Sequence, residues 1–143
     1  MSTENMTTTI LKDVKINVKV RLAALWTAMM FLFIYVDFFY LYAPGEMEHM
    51  IAGYMGPFPT TQGSVLLATI LMAIPSLMIF LSVTLKAKAN RWTNIIVGLL
   101  YIAVVIGGMI GESWVSYLFG SVVELVLTAL IVWYAWKWPT QKA

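Results

Sequence analysis

Along this chain, long apolar runs alternate with short polar breaks at nearly even spacing. Four runs stand out: Leu22 to Tyr42, Ser64 to Leu85, Trp92 to Ile110 and Trp114 to Trp136. Each is close to the ~20 residues a helix needs to cross ~30 Å of hydrocarbon. Open strands of this character are excluded, because lipid offers no partner for their backbone N–H and C=O groups. The pattern predicts an all-α fold, a four-transmembrane-helix bundle. The short breaks after the second and third runs predict antiparallel neighbours. Pro75 lies inside the second run and predicts a kink there, read either as a packing kink or as a hinge or an opened carbonyl facing a cavity.

The polar breaks are not alike. Lys12, Lys15, Lys19 and Arg21 precede the first run, Lys86, Lys88 and Arg91 separate the second from the third, and Lys137 and Lys142 follow the fourth. All of them fall on one side. The breaks 43–63 and 111–113 hold none. The positive-inside rule then predicts both termini in the cytoplasm, in a multi-pass protein of the inner, cytoplasmic membrane. Trp26, Trp92, Trp133, Trp136 and Trp138 are expected at the inner interface. Tyr40, Tyr42, Tyr54, Phe58 and Trp114 are expected at the outer one, with anchoring as their role.

Residues 1–9 read as a disordered polar tail. In residues 10–21, Lys12, Lys15 and Lys19 share one helical face and Leu11, Val14 and Val18 another. A strand reading also exists, but an isolated strand has no pairing partner. We therefore expect an amphipathic helix on the inner leaflet leading into the first span. The longer outer break, 43–63, contains Pro44-Gly45 and an acidic stretch, Glu46–Ile51, suited to a short helix. Gly53, Gly56, Pro57 and Pro59 interrupt the rest of that break.

Composition narrows the chemistry. The chain has 143 residues, 61% hydrophobic and 11% charged, with no Cys and one His. Disulfides, thiolate metal sites and bis-histidine haem are excluded. Nothing in the few basic residues suggests nucleic acid. No nucleophile–base pair and no phosphate loop is present, so enzymatic activity is not expected, nor is a cofactor. His49, set among Glu46, Met47, Glu48 and Met50, is not expected to hold a metal, because methionine is ordinary apolar filler in this chain.

Two acids lie within the apolar runs. At ~1.5 Å per residue, Asp37 is about 7 Å below the outer end of the first run and Glu124 about 15 Å below that of the fourth. A charge at such depth is costly, so Glu124 is expected to be neutral or hydrogen-bonded. Tyr117, Ser121, Glu124 and Thr128 follow at steps of four, three and four, one stripe of a helix. Two readings stay open: a proton, ion or substrate pathway, and a polar face that glues helices together. No basic residue falls within the spans; Tyr35, Tyr40, Tyr101, Ser116 and the Trp N–H groups are the available donors. Glu46, Glu48, His49 and Glu112 would form the outer mouth, whose negative field favours cations. Gly107 and Gly111 have the spacing that lets helices approach, within the bundle or in a homodimer.

The chain resembles a family of small bacterial four-helix membrane proteins classed as a domain of unknown function. The matching stretches are Lys12–Val20, Ala24–Trp26, Tyr35–Asp37, Met72–Phe80, Asn90–Trp92 and Ile131–Trp136. The resemblance implies topology and no activity. A looser similarity, resting on size and topology, is to DoxX-like proteins, some of which serve quinone-linked systems. The functional expectation is a small proton- or cation-linked transporter or channel. The alternative is a non-catalytic subunit or scaffold that binds a partner through its polar helix face. Expected partners are the lipid bilayer and a second copy or another membrane protein.

Overall fold

The computed structural model describes residues 11–140; the tail expected at 1–9 lies outside the described residues. Four long helices dominate: α1 (Val18–Tyr40), α3 (Gln62–Thr84), α4 (Ala87–Met109) and α5 (Val115–Trp136). Between the first two lie a short helix α2 (Glu46–Ile51) and a hairpin of strands β1 (Tyr54–Met55) and β2 (Phe58–Pro59). The long helices have 22 or 23 residues, roughly 33–35 Å at ~1.5 Å per residue. All four are long and apolar enough to cross a membrane.

Local chemistry sets the ends. Asn17 caps α1 by accepting the Lys19 N–H on its side chain at 2.9 Å. The helix therefore starts at Val18, and residues 11–17 carry no regular structure. Of the helix expected over 10–21, residues 18–21 form part of α1 and 11–17 do not, because the asparagine offers the backbone a cap; residue 10 lies outside the described residues. At α3, Thr61 accepts the Ser64 N–H at 3.1 Å while the Ser64 hydroxyl accepts the Thr61 N–H at 2.8 Å, a reciprocal capping box. The expected acidic helix forms as α2. The hairpin after it pairs Tyr54 with Pro59 and Met55 with Phe58.

The long helices alternate in direction. Lys19 at the start of α1 donates to the Leu85 carbonyl at the end of α3, at 2.6 Å. Arg21 stacks on Tyr134 near the end of α5. At the other end, Tyr40 of α1 meets Glu112 between α4 and α5. The bundle thus has a basic end and an acidic end. α1 packs along α3 and α5, and α5 along α4, whereas α3 and α4 touch little despite their short connection. Proximity in sequence put those two side by side, but the main seams join α1 to α5 and α4 to α5.

The core lies toward the basic end. It is built from Leu22, Trp26 and Met29 of α1, Met78 of α3, and Ile131 and Ala135 of α5, all almost fully buried. Pro75, also buried, removes the N–H that the Leu71 carbonyl would have accepted; the Tyr101 hydroxyl of α4 donates to that carbonyl instead. The freed carbonyl thus ties α3 to α4. Outside, large side chains such as Phe31, Leu67, Phe80, Ile96 and Phe119 are exposed on all four helices. Water does not sustain apolar area of that extent on a folded chain, and the surface is compatible with a membrane protein.

Candidate functional site

A cavity of about 910 Å³ opens at the acidic end. α1 contributes Asp37 and Tyr40, α2 contributes Glu46, and the hairpin contributes Tyr54 and Phe58. The α4–α5 corner closes the other side with Gly107, Gly108, Gly111, Glu112 and Tyr117. Gly111 makes the corner with φ +81°, a left-handed value that side chains disfavour.

The three acids at the cavity do different things. Glu112 is held: its Oε1 accepts the N–H groups of Ser113 and Trp114, both at 2.7 Å, and its Oε2 accepts the Tyr40 hydroxyl at 2.8 Å. Those donors, the Trp114 N–H foremost, keep its carboxyl below the usual carboxylate range. Glu112 thereby braces the turn that leads into α5 and is not a free mouth carboxylate. Asp37 is exposed toward the cavity, and no hydrogen bond engages its carboxyl among the described residues. Glu46 is half-buried beside Tyr40. Glu48 and His49, expected at the mouth with them, do not line the cavity; both are exposed, and His49 stacks on Tyr54 with ring centroids 4.8 Å apart.

Beneath the cavity the α5 stripe turns inward. Tyr117 is half-buried, its ring 5.1 Å from that of Tyr40, and Ser121, Glu124 and Thr128 below it are buried. Glu124 is 4% exposed. Its backbone carbonyl accepts the Thr128 hydroxyl at 2.6 Å, but its carboxyl makes no hydrogen bond among the described residues. The charge within its reach is Asp37. The donors expected for it are engaged elsewhere: Tyr101 with Leu71, Tyr40 with Glu112, and Tyr35 on the outside against Phe39. The stripe is covered by α1 of the same chain, through Met29 on Thr128 and Val36 against Gly120. It is therefore not an open face for a partner helix.

The glycines also sort differently from their spacing. A Cβ at Gly107 or Gly111 would meet nothing within 4 Å, so these two do not bring helices together within the chain. Close approach falls at Gly120 against Val36, and at Gly98, where a Cβ would lie 2.7 Å from the Val132 side chain. Gly107 and Gly111 leave bare cavity wall.

A family described as "Family of unknown function (DUF6326)" matches residues 11–143. The chain belongs to that family. Its description assigns no activity, and the match carries no link to DoxX-like proteins. No curated protein and no solved structure matches.

One polar cluster in this chain escaped the sequence reading. Asn94 Oδ1 accepts the Trp26 indole N–H at 2.7 Å and the Ser82 hydroxyl at 3.2 Å. Asn94 Nδ2 donates to Asn90 Oδ1 at 2.7 Å, and Asn90 Nδ2 donates to the Ser82 carbonyl at 2.6 Å. All four residues are fully buried near the basic end. Trp26, expected as an interface anchor, is thus a core residue. The available signal was the pair Asn90 and Asn94, one turn apart at the start of an apolar run.

Proposed function

We propose that this is a membrane carrier that takes up protons or cations at the acid pair Asp37 and Glu124, entered from the acidic end. One observation carries the reading. Glu124 is buried near mid-bundle with no hydrogen bond to its carboxyl, beside a second acid that borders an open cavity. An unpaired acid at that depth is expensive, and such residues mark ion and proton routes. The cavity lining ends at Asp37 and Tyr117, and the route we propose continues from there along the buried Ser121 to Glu124. Below it, Thr128, Met29 and Ile131 are fully buried and leave a dry floor. A route closed at one side suits a carrier that loads from one face, and not a standing channel.

By the positive-inside rule the basic end faces the cytoplasm and the cavity opens to the outside, with the chain in the cytoplasmic membrane. The test is proton entry into vesicles loaded with pyranine under an imposed potassium diffusion potential. The wild type should acidify the lumen, Glu124→Gln should fall to the rate of protein-free vesicles, and Asp37→Asn should be slowed. Equal rates for the wild type and Glu124→Gln, or no entry in either, would end the proposal.

A further inference from the structure

The outer cavity is far larger than a proton or metal ion needs. At about 910 Å³ it lies in the range of sites for whole organic ligands, roughly 300–1,000 Å³. Its charged groups are few and of one sign. Asp37 offers a carboxylate with no hydrogen bond among the described residues, and Glu46 faces the same space from α2. Glu112 is already committed to three donors. Among the described residues no three acids or histidines stand close enough to hold a metal. The rest of the wall is aromatic and apolar: Tyr54 and Phe58 from the hairpin, Tyr117 from α5, Met50 and Met55. Opposite them, the bare backbone of Gly107 and Gly111 leaves room for a ligand body. A second feature is Glu124, outside the lining, more than nine-tenths buried, without a hydrogen bond to its carboxyl among the described residues and within electrostatic reach of Asp37.

We infer that this cavity binds a monovalent organic cation, an ammonium or phosphonium with apolar or aromatic substituents, whose charge sits at Asp37 and whose body lies on the aromatic wall. The inference rests on the acid-pair reading and names what enters with or against the proton. Aromatic faces attract such cations and carboxylates fix them, while strongly hydrated metal ions gain little from a wall of rings. The same ammonium chemistry occurs in the headgroup of a zwitterionic lipid. That headgroup would bring a phosphate against Asp37, Glu46 and Glu112, with no Lys or Arg among the lining residues to receive it. A free cation fits the charge pattern better.

The test is calorimetric titration of the full chain in nanodiscs of phosphatidylcholine. The probe is tetraphenylphosphonium, and tetraphenylborate, of the same shape and opposite charge, is the control. Saturable binding of the phosphonium is expected, with none of the borate. Asp37→Asn should weaken it at least about tenfold, the loss of one close charge pair. Phe58→Ala, on the exposed hairpin and remote from the bundle core, should weaken it about threefold to fivefold through the lost ring. Saturable binding in a phosphatidylcholine bilayer also separates a free cation from the lipid headgroup, which is present throughout in excess. Three results would overturn the inference: equal uptake by the wild type and Asp37→Asn, equal uptake of borate, or complete displacement by millimolar sodium. A wild type that moves protons but binds no phosphonium sinks this inference alone. A wild type that binds phosphonium but moves no protons sinks the carrier and leaves the site.

Discussion

The two ends of the bundle bury polar groups in opposite ways. At the basic end, Trp26, Ser82, Asn90 and Asn94 satisfy one another inside a solid core. The cations around them are also engaged, except that the buried Nε of Arg91 has no hydrogen-bond partner among the described residues, its guanidinium lying over the rings of Trp92 and Trp136. Lys19 donates to the last carbonyls of α3, where the helix dipole favours a positive charge, and Arg21 and Lys137 lie over Tyr134 and Trp133, 4.6 and 4.0 Å from the ring centroids. At the acidic end the bundle is hollow; Asp37 borders the hollow and Glu124 lies buried below it, outside its lining, and neither carboxyl has a hydrogen-bond partner among the described residues. A buried polar group that finds its complement holds helices together. One that does not must find its complement in a proton or a ligand, or remain a standing cost. Only the acidic end therefore carries a functional proposal.

The largest effect should come from breaking the satisfied end. Asn94→Ala strands the Trp26 N–H and the Ser82 hydroxyl and frees Asn90. Leaving buried groups unpaired should cost about 2–3 kcal/mol. Equilibrium unfolding in mixed detergent micelles measures this. Under the same conditions Glu124→Gln should unfold no earlier than the wild type, because no hydrogen bond to its carboxyl is lost. If the two variants were equally destabilised, the contrast between the ends would be false.

A smaller effect sharpens the same contrast through glycine. Gly120 faces the β-branched Val36, a stiff side chain that cannot move aside easily. Gly120→Ala should cost about 1–3 kcal/mol by overpacking. Gly107, inside α4 but over the cavity, has open space beside it. Gly107→Ala should instead gain about 0.5–1 kcal/mol from reduced backbone freedom, while narrowing the cavity. Thermal unfolding of the two variants side by side should show opposite signs.

These residues also mark how far the sequence could be read. The four long helices were legible because hydrocarbon thickness dictates run length, and the α2 helix because its acids favour a first turn. The inward direction of Ser121, Glu124 and Thr128 was legible because helical period alone groups them. What was hidden depends on partners distant in the chain. Gly107 and Gly111 have the spacing of a packing motif, but spacing does not say whether a helix or a void stands opposite. Trp26 was placed at an interface by the average preference of tryptophan. Its actual depth is set by Asn94, 68 positions away. Asn17 stops a helix that periodicity alone would have continued.

The smallest expected effect concerns Glu112, where the two kinds of burial meet. Its carboxylate borders the cavity, yet three donors hold it in the turn before α5, so it should behave like the satisfied end. Its folded pKa lies below the ordinary value of 4.5. The stabilisation it gives is then fully present above that value and is lost as pH falls through the folded pKa. Because the group is largely open to solvent, Glu112→Gln should cost under about 1 kcal/mol at neutral pH. The wild type and Glu112→Gln should converge in stability once pH falls below the folded pKa of Glu112, where both side chains are neutral. Denaturant unfolding across that range isolates this one group, since every other acid titrates alike in the two proteins. A difference that persists at low pH would mean that Glu112 acts through shape and not charge. It would then belong with neither end, and the division between satisfied and unsatisfied carboxylates would have to be drawn elsewhere.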